Sequence, residues 1–258
     1  MIDRVFAMGC SFVQGSELGP DCRNLPNYPV ISVPGRFSEL VANHFGASHI
    51  NLAQGGAGQI RIFRSTVDWL TGKSLLFPPD LETNNLTPQP VPKFNPKDKM
   101  LFIIGLSVPL RKEVWINRKQ CYEKWNVYSD SEIVSRVVEG LNLSGKEFEK
   151  DYKKFIKYYL EGIHNEEESI RETYRYISAL TSMIRDKAPN SKLFLFNALG
   201  NDLPDWVVQG LNLDSKYLPS WESYAYRNQL MDMDYSHPKE LAHKELADYI
   251  INKFSNEE

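Results

Sequence analysis

Two short stretches at opposite ends of the 258-residue chain carry residue types that could do chemistry together. Near the amino terminus, Gly9-Cys10-Ser11 follows a short apolar run, so the serine falls at the corner where a strand gives way to a loop. A small residue before such a corner lets the backbone turn sharply and presents the hydroxyl with its own amide beside it, a geometry that suits a nucleophile. A serine there is also an ordinary helix N-cap or turn former. Near the other end, Asp234-Tyr235-Ser236-His237-Pro238 places a carboxylate three residues before an imidazole. Asp234 can accept from one ring nitrogen of His237 and leave the other facing Ser11, which is the division of labour of a general base and its orienting acid. The competing reading is a capped, proline-initiated helix with an incidental histidine.

A third stretch, Asn51-Leu52-Ala53-Gln54-Gly55-Gly56-Ala57-Gly58-Gln59, is a glycine-rich corner feeding a helix. Unobstructed amides and a helix N-terminus favour an anion. Phosphate is the rival ligand, but the glycine spacing fits neither common nucleotide-binding pattern, so donation to an oxyanion is the better use. The histidines His44, His49, His164 and His243 are scattered, without the clustering a metal requires, and are read as structural or exposed. Cys10 is the alternative nucleophile, although adjacent residues leaving a strand project differently.

Elements must exist to bring these stretches together. Apolar runs Arg4 to Met8, His49 to Ala53, Met100 to Ile104 and Lys192 to Phe196 have the length and bulk of buried strands. Between them, helical periodicity spans Gly35 to Phe45 with Gly46 as its C′ residue, Gly58 to Leu70, Glu167 to Asp186, and Pro238 to about Phe254. Strands alternating with helices predict an α/β fold, a mainly parallel sheet covered on both faces, with ligands at the carboxyl ends of the strands. Residues 1–258 read as one domain with two insertions. The first, at about 78–99, holds Pro78, Pro79, Pro88, Pro90, Pro92 and Pro96 and should be an extended loop. The second, at about 110–164, is aromatic and charged and should form one or more extra helices. Each is expected either as a lid over the ligand face or as peripheral decoration.

Composition narrows the function classes. With 42% hydrophobic and 24% charged residues, neither disorder nor fibrous repetition is tenable. A formal net charge of −3 removes the attraction that non-specific nucleic-acid binding needs, so no nucleic-acid partner is expected. Cys10, Cys22 and Cys121 cannot all pair and lack metal or redox spacing, which favours a reducing compartment, with one disulfide left open. No export signal or membrane span is visible, so a cytoplasmic or otherwise soluble setting is expected.

The order Gly9-Cys10-Ser11, Gly56, Gly105-Leu106-Ser107 and Asp234-x-x-His237-Pro238 resembles the SGNH/GDSL hydrolase superfamily over nearly the whole chain. That resemblance implies a three-layer α/β/α sandwich with a flavodoxin-like sheet. It also implies Ser11 as nucleophile, Gly56 as oxyanion donor, His237 as general base and acid, and Asp234 as its orienting carboxylate. It implies no cofactor and no metal. Two departures stand out: Cys10 replaces the family's usual Asp, and Ser107 stands where the family has an oxyanion-holding Asn. Arg111, just beyond, offers positive charge to the site or to an acidic substrate, with an ion pair to Glu113 or another carboxylate as the equal alternative. The expected activity is hydrolysis of a small acyl ester, including acetyl on carbohydrate. The alternatives are a binding or assembly module of the same fold and an O-acyltransferase. The Gly-Cys-Ser-Phe form also resembles SGNH-like proteins of tailed bacteriophages, which implies surface glycans as a setting and the virion as an alternative location.

Overall fold

The computed structural model describes residues 1–15, 18, 35–53, 55, 57–73, 91–109, 111–116, 121–126, 165–200, 203–232 and 237–255; within 112–116 and 121–126 it describes the backbone. Gly56, Asp234, Cys22 and most of both expected insertions lie outside these residues.

Four strands, β1 (Arg4–Met8), β2 (Ser48–Asn51), β3 (Met100–Leu106) and β6 (Lys192–Asn197), form a parallel sheet in the order β2-β1-β3-β6. The register pairs Ala7 with Asn51, Met8 with Ile104 and Leu106 with Asn197, so all four strands finish at one edge. Side chains alternate cleanly across the sheet. On one face, Val5, Ala7, Leu101, Ile103, Phe194 and Phe196 pack against α2 (Phe37–Phe45), α6 (Trp221–Arg227) and α7 (Glu240–Ser255). On the other, Phe6, Met8, Ile50, Phe102, Ile104 and Leu195 meet α3 (Gln59–Leu70), α4 (Glu166–Lys187) and α5 (Asp205–Leu211). This is the expected α/β/α sandwich, and burial on both faces explains why β1 and β3 read as unbroken apolar runs. Phe6 stacks on Trp69 at 4.5 Å and leans on Phe102 at 5.4 Å, which anchors α3 to the sheet.

Helix ends follow their sequence signals. Gly46 adopts φ 61° at the end of α2, as its position predicts. Helix α4 begins at Asn165, whose side chain accepts from the Glu168 amide, and places Glu166, Glu167 and Glu168 against the positive end of its dipole. The last helix begins at Glu240, not Pro238. Proline biases His237 towards extended backbone, and His237–Pro238 (β8) pairs antiparallel with Met231–Asp232 (β7), followed by a Lys239 amide bond to the Leu230 carbonyl at 2.7 Å.

The described parts of the two insertions differ in form. Where extra helices were expected, β4 (Arg111–Ile116) and β5 (Cys121–Asn126) form an antiparallel hairpin, with Glu113 opposite Lys124 and Trp115 opposite Tyr122 in the register. β-Branched and aromatic residues such as Val114, Trp115, Ile116, Tyr122 and Trp125 favour that outcome; residues 127–164 lie outside the described ones. Residues 91–99 run under the starts of the strands, away from the ligand edge. The Trp69 indole donates to the Pro92 carbonyl at 2.7 Å, and Arg4 donates to the Lys93 carbonyl at 3.0 Å and pairs with Asp98 at 3.1 Å. Helix α3 returns the chain to that edge, so this part of the first insertion is no lid. Among the described residues no helix is long and apolar enough to cross a membrane.

One close contact governs how the chain leaves β1. Short helix α1 (Ser11–Gln14) seats Val13 where two glycines meet. A Cβ on Gly105 would stand 2.5 Å from Val13 Cγ2 and 2.9 Å from Ala198 Cβ, and a Cβ on Gly9 would stand 2.4 Å from the same methyl. Overpacking of this kind costs about 1–3 kcal/mol. Gly105→Ala is therefore expected to lower the unfolding free energy by about that amount in urea titrations. Adding Val13→Ala should recover part of the loss, and a double variant less stable than Gly105→Ala would count against this account.

Candidate active site

Because the sheet is parallel, the corners after β1, β2, β3 and β6 gather at one edge, and four chemically loaded segments meet there. The first is the start of α1. Cys10 holds the N-cap position with extended backbone (φ −90°, ψ −163°), and Gly15 closes the turn in the left-handed region at φ 69°. Ser11 is partly exposed, whereas Cys10 is fully buried in the core. Burial pushes the Cys10 thiol up, opposed by Arg111, by the amides of Phe12 and Val13 and by the Ser107 hydroxyl. A buried, protonated thiol is a poor nucleophile.

The second segment is the glycine-rich corner. A Cβ built on Gly55 would lie 3.8 Å from Ser11 Cβ and 3.3 Å from Gln14 Oε1, so this backbone passes directly over α1. Asn51 fixes the approach. Its amide nitrogen donates to the Val13 carbonyl at 3.0 Å and to Ser38 Oγ at 3.2 Å, while its oxygen accepts from the Ala53 amide at 2.9 Å. This buried side chain thus ties the second corner to the first through Val13 and to α2 through Ser38.

The third segment follows β3. Ser107 is 2% exposed, and its Oγ accepts from Arg111 Nη1 at 3.1 Å. Its carbonyl accepts from the side-chain amide of Gln59, at the start of α3. A Cβ on Gly58 would stand 2.1 Å from the Arg111 carbonyl oxygen, so the N-terminus of α3 and the root of the hairpin are in backbone contact. Among the described residues Gln59 Oε1 is buried without a hydrogen-bond partner, a state that costs about 1–3 kcal/mol when nothing else satisfies it.

The fourth segment carries His237. Its ring lies 5.1 Å from the ring of Phe12, the residue after Ser11, and Phe12 meets Trp221 edge-on at 6.3 Å. In α6, Glu222 Oε2 accepts from the Gly200 amide at 3.4 Å. Burial pushes the Glu222 carboxyl up, while the Gly200 amide, Arg111 and His237 pull it down, so one acid senses both side chains. A pocket of about 550 Å³ opens beside it, lined by Pro219, Glu222, Tyr226, Met231 and Asp232 among others, and Asp232 is the register partner of His237.

The segments that carry Ser11, Ser107 and His237 therefore lie at one edge of the sheet. Gly56 follows the residue that overlies Ser11, and Asp234 sits between β7 and β8; both lie outside the described residues. Glu222, Gln59 and Asn51 were not singled out by sequence reasoning. Gln59 and Asn51 flank the glycine-rich corner, which is the only local signal they give, and Glu222 has none. Among the described residues no three His, Cys, Asp or Glu side chains converge as a metal site would need.

Two other histidines support the site without facing it. His243 Nδ1 accepts from the Phe37 amide at 3.3 Å, and His49 Nε2 meets Ser38 Oγ at 3.0 Å. Burial, with Arg36 second in each case, pushes both down to about 3 from the usual 6.5. The unfolded chain therefore binds more protons than the folded one between pH 6.5 and 3. Stability from these groups is complete above pH 6.5 and is lost as pH falls towards 3, by up to about 1.4 kcal/mol per pH unit for each ring. Unfolding free energies measured across that window should fall less steeply for His49→Gln than for the parent; an unchanged slope would contradict the assignment.

No protein-family model matches the chain, and no curated protein does. Solved structures do. An acetyl xylan esterase (Est2A) from the rumen bacterium Butyrivibrio proteoclasticus is 12% identical with a TM-score of 0.46, over 99% of this chain and 64% of that one. The psychrotrophic esterase EstA from Pseudoalteromonas sp. is 11% identical with a TM-score of 0.46, over 98% and 99%. A member of the lipolytic protein G-D-S-L family from Veillonella parvula is 9% identical with a TM-score of 0.40, over 98% of each. The chain spans less than two thirds of the length of the xylan esterase. These likenesses carry nothing about residues or substrate. Across nearly its full length the chain is thus similar to solved structures described as esterases and as a G-D-S-L lipolytic protein.

Proposed function

We propose that residues 1–258 form one hydrolase domain that cleaves a small acyl ester through Ser11, His237 and Asp234. The observation that carries this reading is the convergence of chain ends: Gly55 passes over Ser11, and the His237 ring packs on Phe12 beside it. Ser11 and His237 are 226 positions apart in sequence, and packing of the His237 ring on the residue next to Ser11 supports their acting together.

In this mechanism Ser11 Oγ attacks the ester carbonyl carbon as His237 removes its proton. The carbonyl π pair moves to oxygen, and the resulting oxyanion is held by the amides of Ser11 and Gly56 with help from the Ser107 hydroxyl. Asp234, three residues before His237, orients the ring and balances its charge. His237 then gives the proton to the departing alcohol oxygen. Water, deprotonated by the same ring, attacks the acyl-enzyme, and collapse of the second tetrahedral intermediate returns the proton to Ser11 and releases the acid. The pocket beside Glu222 offers room for the acyl or alcohol portion. Small acyl esters, including acetyl groups on carbohydrate, are the substrate class.

A second reading has one observation in its favour. Ser107, a shorter and less firmly aimed donor, stands where the resembled family has an Asn, and loss of one oxyanion donor costs about 10²–10³ in rate, so a binding module with little turnover fits the same fold.

Labelling by a fluorophosphonate together with turnover of p-nitrophenyl acetate separates them. Ser11→Ala should abolish labelling, and Ser11→Ala and His237→Ala should each lower kcat by about 10³-fold or more. Labelling that persists in Ser11→Ala would show that the nucleophile is another residue, and an intact parent that neither labels nor turns over would favour the binding module.

A further inference from the structure

We propose that Arg111 is a positioning residue for the oxyanion site, acting through Ser107: the guanidinium fixes and polarises the Ser107 hydroxyl so that its single proton serves as the side-chain donor. The inference rests on the esterase reading above and extends it to a residue outside the triad.

A serine hydroxyl has one proton to give and a freely turning C–O bond, which makes it a loosely aimed donor. Here the rotor is constrained. Arg111 Nη1 donates to Ser107 Oγ at 3.1 Å, so one lone pair is taken by a charged donor and the proton is left for another acceptor. Donation from a cation is roughly twice as strong as between neutral groups and strengthens the next hydrogen bond in the chain. The Ser107 hydroxyl also acts on the thiol of Cys10, the residue before Ser11, which puts it beside the corner where an oxyanion would form. A thiol is a weak acceptor that a developing oxyanion displaces easily.

Both ends of the relay are held. Gln59 donates to the Ser107 carbonyl, the Arg111 amide donates to the Val108 carbonyl at 3.1 Å, and Gly58 presses on the Arg111 carbonyl. The four-residue spacing of Ser107 and Arg111 is thus a tight turn pinned by the N-terminus of α3. The same guanidinium lowers the carboxyl of Glu222 across the site, so its charge acts where negative charge builds up during acyl transfer.

Ester turnover by the full chain, with kcat and KM measured separately, tests this. Arg111→Met and Ser107→Ala should each lower kcat by about 10²-fold with KM changed by less than about threefold, because the relay acts in the transition state. The double variant should be no slower than the worse single by more than about threefold, since the two residues act as a unit. Arg111→Lys should recover part of the rate. Melting curves check that each variant is folded, and Arg111→Gln takes the place of Arg111→Met if the latter is not. Wild-type kcat in the folded Arg111 variant, losses that multiply in the double variant, or an effect confined to KM would overturn the relay while leaving the esterase reading intact. Absence of Ser11-dependent turnover in the parent would overturn both.

Discussion

The seating of Val13 against Gly9 and Gly105 decides how closely the first turn of the chain can approach the end of the sheet. With no Cβ at either glycine, α1 lies directly on the ends of β1 and β3, where an added methyl would stand 2.4 or 2.5 Å from Val13 Cγ2. That approach buries Cys10 while leaving Ser11 partly exposed, and it brings the Val13 carbonyl within reach of Asn51. The glycine-rich corner, carried by the same strand as Asn51, is then drawn over Ser11. A single steric allowance therefore sets the relation between the first two corners, and packing at organic-crystal density transmits it to the rest.

Among the described residues, the charged side chains at this edge depend on one another. Arg111 reaches Ser107, and it and His237 both act on Glu222, whose carboxyl burial would otherwise push up without opposition. Nearby His243, fully buried between Phe37 and Trp221, is kept neutral by burial and by Arg36, so His237 is the imidazole at this edge that remains partly exposed to solvent. Confining mobile charge to a few groups in a partly desolvated cleft is what gives each of them leverage on a reacting centre.

Much of the architecture was legible because it rests on local periodicity. Strand β1 spans Arg4–Met8 as the apolar run predicts, and α4 exceeds its predicted limits by one residue at each end. The glycine at 46 stops α2 for the conformational reason that its position suggests. The hairpin over 111–126 was missed because aromatic, charged segments satisfy both helix and strand patterns, and cross-strand pairing in register decided between them. The path of residues 91–99 stayed open between lid and peripheral decoration because proline-rich sequence shows an absence of helix without showing which edge the loop lies against; packing on Trp69 and Arg4 decided it.

For the site, the sequence determined the chemical inventory: a serine at a strand end, a glycine-rich corner, and an acid and imidazole three residues apart. Those features are local, fixed by residue type and by spacing within one turn. Only the tertiary structure decided that Ser107 is gripped by Arg111, that Gln59 holds the same loop, and that Glu222 stands near both Arg111 and His237. Such contacts join residues far apart in sequence, and their geometry depends on the register of the parallel strands and on which helix covers which face. No periodicity within a single segment encodes that.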